Sequence, residues 1–136
     1  MLSSITSSES PRILLVDDNE AMLARIATVL SSACVIVGTA RNGRAALDAA
    51  RTLLPDVIVL DVSMPGMSGI EFASRLRASG SKAALVFLTV HDDEELILAA
   101  RDAGGIGYVV KPRLVPDLLR AVQEARAGRP FLSPIR

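Results

Sequence analysis

The chain has 136 residues, half of them apolar and 22% charged, enough to bury the core of one ordinary domain and to exclude disorder over its whole length. Fifteen Lys and Arg balance fifteen Asp and Glu, so no global basic field exists to hold nucleic acid or an anionic membrane, and direct nucleic-acid binding by this segment is not expected. No apolar stretch approaches the roughly 20 residues that cross a bilayer, no signal peptide is visible in the serine-rich start, and the single Cys34 reads as a buried small hydrophobe in a reducing, cytoplasmic compartment.

Residues 1–11 read as a flexible tail. The first apolar run, 13–16, is strand-sized and ends in Asp17 and Asp18. In 19–33, Leu23, Ile26, Val29, Leu30 and Ala33 recur every three or four residues and mark the buried stripe of a helix. A weaker apolar run follows at 34–37, and Asn42 with Gly43 opens a second helix that stops near Leu53, before Pro55. The run 57–60 ends in Asp61. Ser68 then starts a third helix, with Glu71 positioned to reach back in a capping box, and Gly80 stops it. The run 84–88 ends in Thr89; residues 92–95 bring acids to the first turn of a fourth helix, which Gly104 and Gly105 end. The last run, 108–110, ends in Lys111; Pro116 suits the first turn of a fifth helix, and Gly128 with Pro130 stops it. The expected domain is 12–128, with 129–136 a tail or the start of a linker.

The runs are continuous, not alternating, so both faces of each strand must be covered, as in a parallel sheet between helices. Strict alternation of strand and helix implies a three-layer α/β sandwich with right-handed crossovers. Ligands in such folds sit beyond the carboxyl ends of the strands, where strand order reverses. There the chain brings Asp17, Asp18, Asp61, Thr89 and Lys111. Taken singly, Asp17 or Asp18 would serve equally as a turn residue or helix N-cap. Together with Asp61, these carboxylates repel unless positive charge is supplied, by Lys111 and by a divalent cation. An all-oxygen set suits Mg²⁺, and one His with one Cys argues against zinc. Asp61 has the best position to act as nucleophile toward a phosphoryl group.

Four motifs carry a resemblance: Ile13-Leu14-Leu15-Val16-Asp17-Asp18-Asn19, Asp61-Val62-Ser63-Met64-Pro65-Gly66-Met67-Ser68-Gly69, Thr89-Val90-His91 and Gly107-Tyr108-Val109-Val110-Lys111-Pro112. In order and spacing the chain resembles the receiver domain of two-component response regulators. The resemblance implies a flavodoxin-like (βα)5 sandwich with strand order 2-1-3-4-5. It implies that Asp61 accepts a phosphoryl group from the phosphohistidine of a sensor histidine kinase with Mg²⁺ as cofactor. In that pattern Asp18, Asp61 and the backbone carbonyl of Ser63 bind the metal, and Asp17 acts through water. Lys111 contacts the phosphoryl oxygens, Thr89 and Tyr108 form the switch, Ser63 and His91 tune phosphate lifetime, and the Lys111–Pro112 bond is cis. Val90 stands where many receivers carry a smaller residue, which narrows access to Asp61. The family further implies kinase docking on the first helix, readout through the fourth helix, fifth strand and fifth helix, and a phosphorylation-dependent homodimer. Self-catalysed phosphorylation and dephosphorylation, not steady turnover, is the chemistry expected. Residues 128–134 resemble the linker start of helix-turn-helix-bearing transcriptional regulators, which implies transcription as the output; a stand-alone receiver acting through protein contacts is the alternative.

Rival readings fit less well. A haloacid-dehalogenase-like phosphatase needs a second Asp two residues after its nucleophile, where this chain has Ser63. A flavin carrier of flavodoxin type needs a Ser/Thr/Gly-rich phosphate loop where Asp17 and Asp18 stand, and those acids would repel phosphate. A receiver-like module that signals without phosphorylation keeps the fold but leaves the full acidic set without a role.

Overall fold

In the computed structural model, which describes residues 10–90 and 93–134, the apolar runs become parallel strands. These are β1 (Arg12–Val16), β2 (Val35–Ala40), β3 (Val57–Asp61), β4 (Ala84–Thr89) and β5 (Gly107–Val110). Between them lie helices α1 (Glu20–Leu30), α2 (Gly43–Leu53), α3 (Gly69–Ala78) and α4 (Glu94–Asp102). A 3-10 turn (Lys111–Arg113) leads into α5 (Leu114–Arg126). The sheet order β2-β1-β3-β4-β5 matches the expected 2-1-3-4-5, with a sixth short strand, β6 (Phe131–Leu132), added beside β5.

The strands carry apolar side chains on both faces, and the two faces feed separate cores. Ile13, Leu15, Val57, Val59, Val86, Leu88 and Val109 meet Leu23, Ile26 and Leu30 of α1 and Leu118, Ala121 and Val122 of α5. Leu14, Val16, Ile58, Leu60, Leu85 and Phe87 meet Ala46 and Ala50 of α2, Phe72 and Leu76 of α3, and Ile97 and Ala100 of α4. Each fully buried Leu, Ile, Val or Phe contributes about 1.5–3 kcal/mol relative to an exposed one. Cys34 is buried in the first of these cores, as expected of a small hydrophobe. The stripe of α1 is narrower than its spacing suggests: Val29 is half-buried, and Ala33 falls beyond the helix end.

Helix starts are set by side-chain caps in the loops that leave the carboxyl ends of the strands. Asn19 accepts from the Met22 N–H (3.0 Å), Asn42 from Ala45 (2.8 Å), Ser68 from Glu71 (3.1 Å) and Asp93 from Glu95 (2.8 Å). The Glu71 carboxylate pairs with Arg75 at 3.0 Å instead of reaching back to the cap. At the end of α2, Leu54 adopts a left-handed conformation (φ 51°), since the proline that follows disfavours the helical region. Arg12 then donates to the carbonyls of Leu53 (2.8 Å) and Leu54 (2.7 Å), groups a helix end leaves unpaired.

Two expectations need correction. The segment 129–136 is not simply a tail: after Gly128 turns the chain (φ 83°), Phe131 donates to the Ile106 carbonyl (3.0 Å) and Ser133 to that of Tyr108 (2.9 Å). The Lys111–Pro112 bond is trans, since no cis peptide occurs among the described residues. Pro112 instead sits in the first turn of the 3-10 helix. There its fixed φ fits and its missing N–H is not needed.

Candidate functional site

The carboxyl ends of β1, β3, β4 and β5 converge because the strands are in parallel register: Val16 pairs with Leu60, and Thr89 with Val110. Asp17 follows β1 directly and is fully buried. Its N–H donates to the Ala40 carbonyl (3.0 Å), and its Oδ1 accepts from Asn19 N–H (2.9 Å). Its Oδ2 is buried with no hydrogen-bond partner; Lys111 Nζ stands 3.6 Å away, in ion-pair range only. Asp61, 7% exposed at the end of β3, accepts from Ser63 N–H on Oδ1 (3.0 Å) and from Lys111 Nζ on Oδ2 (3.3 Å). Asp18 is half-buried beside them.

One carboxylate oxygen from each of Asp17, Asp18 and Asp61 lies within 4.8 Å of the others. At that separation two full charges repel by about 3 kcal/mol at an effective dielectric near 20. Lys111 offsets only part of this. Burial, chiefly, pushes the Asp17 carboxyl up from its ordinary value, with the charges of Asp61 and Asp18 adding to it. The Asn19 N–H and Lys111 pull the other way. A buried carboxylate oxygen without a partner, facing two further carboxylates, is the donor set a hard divalent cation satisfies. The residues present therefore fit Mg²⁺.

Thr89 and Tyr108 are both buried, at the end of β4 and on neighbouring β5. Val90 follows, 63% exposed. His91 lies outside the described residues. Met64 is buried and Met67 packs over Gly43, so the loop after Asp61 is shaped by internal packing. Beyond the 3-10 turn, Leu114 enters the core while Val115 is 64% exposed.

Three features escaped the sequence reading. Arg41, after β2, donates to the Asp18 carbonyl (3.2 Å) and lies 4.0 Å from Glu20. Its only signal was a cation at a strand end. Gly69 closes the second motif; a Cβ there would lie 2.4 Å from the Asp61 carbonyl oxygen, so its bare backbone lets α3 begin against the acidic site. The third feature is a buried polar cluster. Ser133 Oγ donates to Asp117 (2.8 Å) and accepts from Val110 N–H (3.2 Å), and Arg113 binds Asp117 through two bonds (2.7 and 3.2 Å). It joins residues distant in sequence and has no local signature.

The sequence matches the response regulator receiver domain over residues 13–123. It is 35% identical over 131 residues to the nitrate/nitrite response regulator protein NarL of Escherichia coli K12, covering 95% of this chain and 61% of that protein. It is 38% identical over 117 residues to the transcriptional regulatory protein PdtaR of Mycobacterium tuberculosis, covering 85% of this chain and 57% of that one. The chain thus spans about three fifths of the length of these curated relatives. Its fold is similar to the crystal structure of a LuxR-family two-component response regulator from Aurantimonas, with a TM-score of 0.88 at 30% identity over 92% of this chain and 91% of that one. It is likewise similar to the receiver domain of the Mycobacterium tuberculosis NarL, with a TM-score of 0.84 at 29% identity over 89% and 99%. With the acidic cluster at the strand ends and this match over most of its length, the chain belongs to the response regulator receiver domains of two-component systems.

Proposed function

We propose that Asp61 is the phosphoacceptor and that a sensor histidine kinase is the donor. A carboxylate oxygen of Asp61 attacks phosphorus, the P–N bond of the phosphohistidine breaks, and the imidazole leaves with its electron pair. Asp18, Asp61 and the carbonyl of Ser63 would hold Mg²⁺, with Asp17 acting through water; the ion, when bound, neutralises charge on the transferring phosphoryl oxygens. Lys111, 3.3 Å from Asp61 Oδ2, follows that charge from the carboxylate onto the phosphoryl group. Water, directed or blocked by the side chains of Ser63 and His91, later hydrolyses the acyl phosphate. This chemistry is self-catalysed modification, not steady turnover.

Phosphorylation replaces one negative charge by nearly two and adds acceptor oxygens, so donors near Asp61 gain partners. Thr89 turns toward the new oxygens, Tyr108 adjusts on the neighbouring strand, and the surface of α4, β5 and α5 becomes the readout. Exposed Leu98 on α4 and Val115 on α5 would serve a phosphorylation-dependent homodimer. Likeness to transcriptional regulators supports transcription as the output.

The observation that carries this reading is the Asp61–Lys111 pair set against the orphaned Asp17 oxygen. The test is intact-mass analysis after incubation with Mg²⁺ and acetyl phosphate. One phosphoryl group should appear on the wild type, and none on Asp61→Asn or with a chelator present. An unmodified wild type under these conditions refutes the reading.

A further inference from the structure

Strand β6 and the turn that carries Lys111 share one buried polar cluster. Ser133 is fully buried and Asp117 is 5% exposed. Ser133 Oγ accepts from the N–H of Val110, the residue before Lys111, and donates to Asp117 Oδ2. Asp117 in turn holds Arg113, two residues after Lys111, through Nε and Nη2. The backbone just before Lys111 and the Arg113 side chain just after it are thus tied to one pair of side chains, neither of which belongs to the acidic site. Such a pair is costly to bury and contributes little net stability over an apolar filling of the same volume. Its distinctive consequence is geometric: it fixes the 3-10 turn from which the largely buried Lys111 side chain extends to reach Asp61 and Asp17.

We propose that Ser133 and Asp117 are positioning residues for Lys111, so that the segment following α5 is part of the phosphorylation machinery. The inference rests on Asp61 and Lys111 having the roles given above. Ser133 is held in register by strand pairing, its N–H on the Tyr108 carbonyl, and Arg120 lies over the Phe131 ring at 5.8 Å. Linkage makes the effect reciprocal. Whatever the phosphoryl group does to the Lys111 turn is felt by β6, and detachment of β6 loosens the turn.

The test is a double-mutant cycle on the phosphorylation rate of the full chain, measured by intact mass with acetyl phosphate at saturating Mg²⁺. Ser133→Ala is expected to slow the maximal rate about five- to tenfold, the scale of a small misplacement of a reacting group. The Mg²⁺ affinity, measured by calorimetric titration, and the acetyl phosphate concentration at half-maximal rate should stay unchanged. In a Lys111→Met background Ser133→Ala should have no further effect, because the group it positions is gone. An equal slowing in both backgrounds, or none in the wild type, overturns the inference and leaves the phosphoacceptor reading intact. A wild type that takes up no phosphoryl group overturns both. Should Ser133→Ala not fold, Asp117→Asn is put through the same cycle, with the same outcomes deciding.

Discussion

Lys111 Nζ lies 3.3 Å from Asp61 Oδ2, on a side chain only 17% exposed, so the proposed nucleophile carries its counter-cation before any phosphoryl group arrives. That proximity has opposite effects on two measurable quantities. The ammonium repels a divalent cation in the same cluster, while it stabilises charge on a transferring phosphoryl group. Lys111→Met should therefore bind Mg²⁺ about three- to tenfold more tightly, on the order of 1 kcal/mol. The same variant should be phosphorylated by acetyl phosphate about a hundredfold more slowly, the usual cost of removing one preorganised donor. Calorimetric Mg²⁺ titration and intact-mass kinetics read the two separately. A variant that loses both together would show that Lys111 mainly holds the fold.

Asp17 makes the metal-free protein pay for its site. Its carboxyl is pushed above its ordinary value of 3.8, chiefly by burial. The native state therefore takes up this proton at higher pH than the unfolded chain does. Without metal, the Asp17 contribution to stability should grow as pH falls through its raised native value toward 3.8. At neutral pH, Asp17→Asn should raise the metal-free melting temperature by roughly 3–5 °C, corresponding to about 1 kcal/mol. Mg²⁺ should stabilise the wild type by about 2.7 kcal/mol at a hundredfold excess over its Kd, and the Asn variant much less. Thermal unfolding with and without Mg²⁺ checks all three statements.

At Gly69 the constraint is steric. A Cβ would stand 2.4 Å from the Asp61 carbonyl oxygen and 2.9 Å from Val62 Cα, and both are backbone atoms that no rotamer change can move aside. Gly69→Ala should cost about 1–3 kcal/mol and slow phosphorylation beyond what stability explains, since relief requires shifting either α3 or Asp61. Gly66→Ala is the control: its Cβ would meet nothing within 4 Å, and only its positive φ of 84° is strained, so stability should fall without a comparable loss of rate.

How far these features could be read in the sequence follows from their range. The strands were legible because Ile13, Leu14 and Leu15, or Ile58, Val59 and Leu60, face two cores at once and leave no polar position to blur the run. The acidic site was legible because Asp17 and Asp61 end such runs abruptly. Asn42 and Ser68 marked their helix starts because a cap acts over three residues. Strand β6 was not visible, since two residues after a proline carry no period and their pairing is through backbone, Phe131 to Ile106. The bond between Ser133 and Asp117 spans 16 residues, and either side chain alone reads as solvated. The geometry at Lys111–Pro112 depended on the 3-10 turn that Arg113 and Asp117 hold, a contact the motif itself does not contain.

That contact gives a pH signature of its own. Hydrogen bonds from Arg113, foremost, hold the Asp117 carboxyl below its ordinary value of 3.8, with Ser133 adding to the effect against the cost of burial. For a carboxyl lowered in the native state, the stabilisation is fully present above the unfolded value and disappears as pH falls below 3.8 through the native one. Arg113 is 42% exposed, so solvent screening weakens this contribution. Asp117→Asn should therefore unfold at a lower temperature than the wild type at pH 6. The gap between the two should narrow from pH 4 downward as the wild-type carboxyl takes up its proton. Melting temperatures of both proteins across pH 2.5 to 7 give the comparison. A gap that stays constant over this range would mean that Asp117 stabilises by shape and neutral hydrogen bonding, with no contribution from its charge.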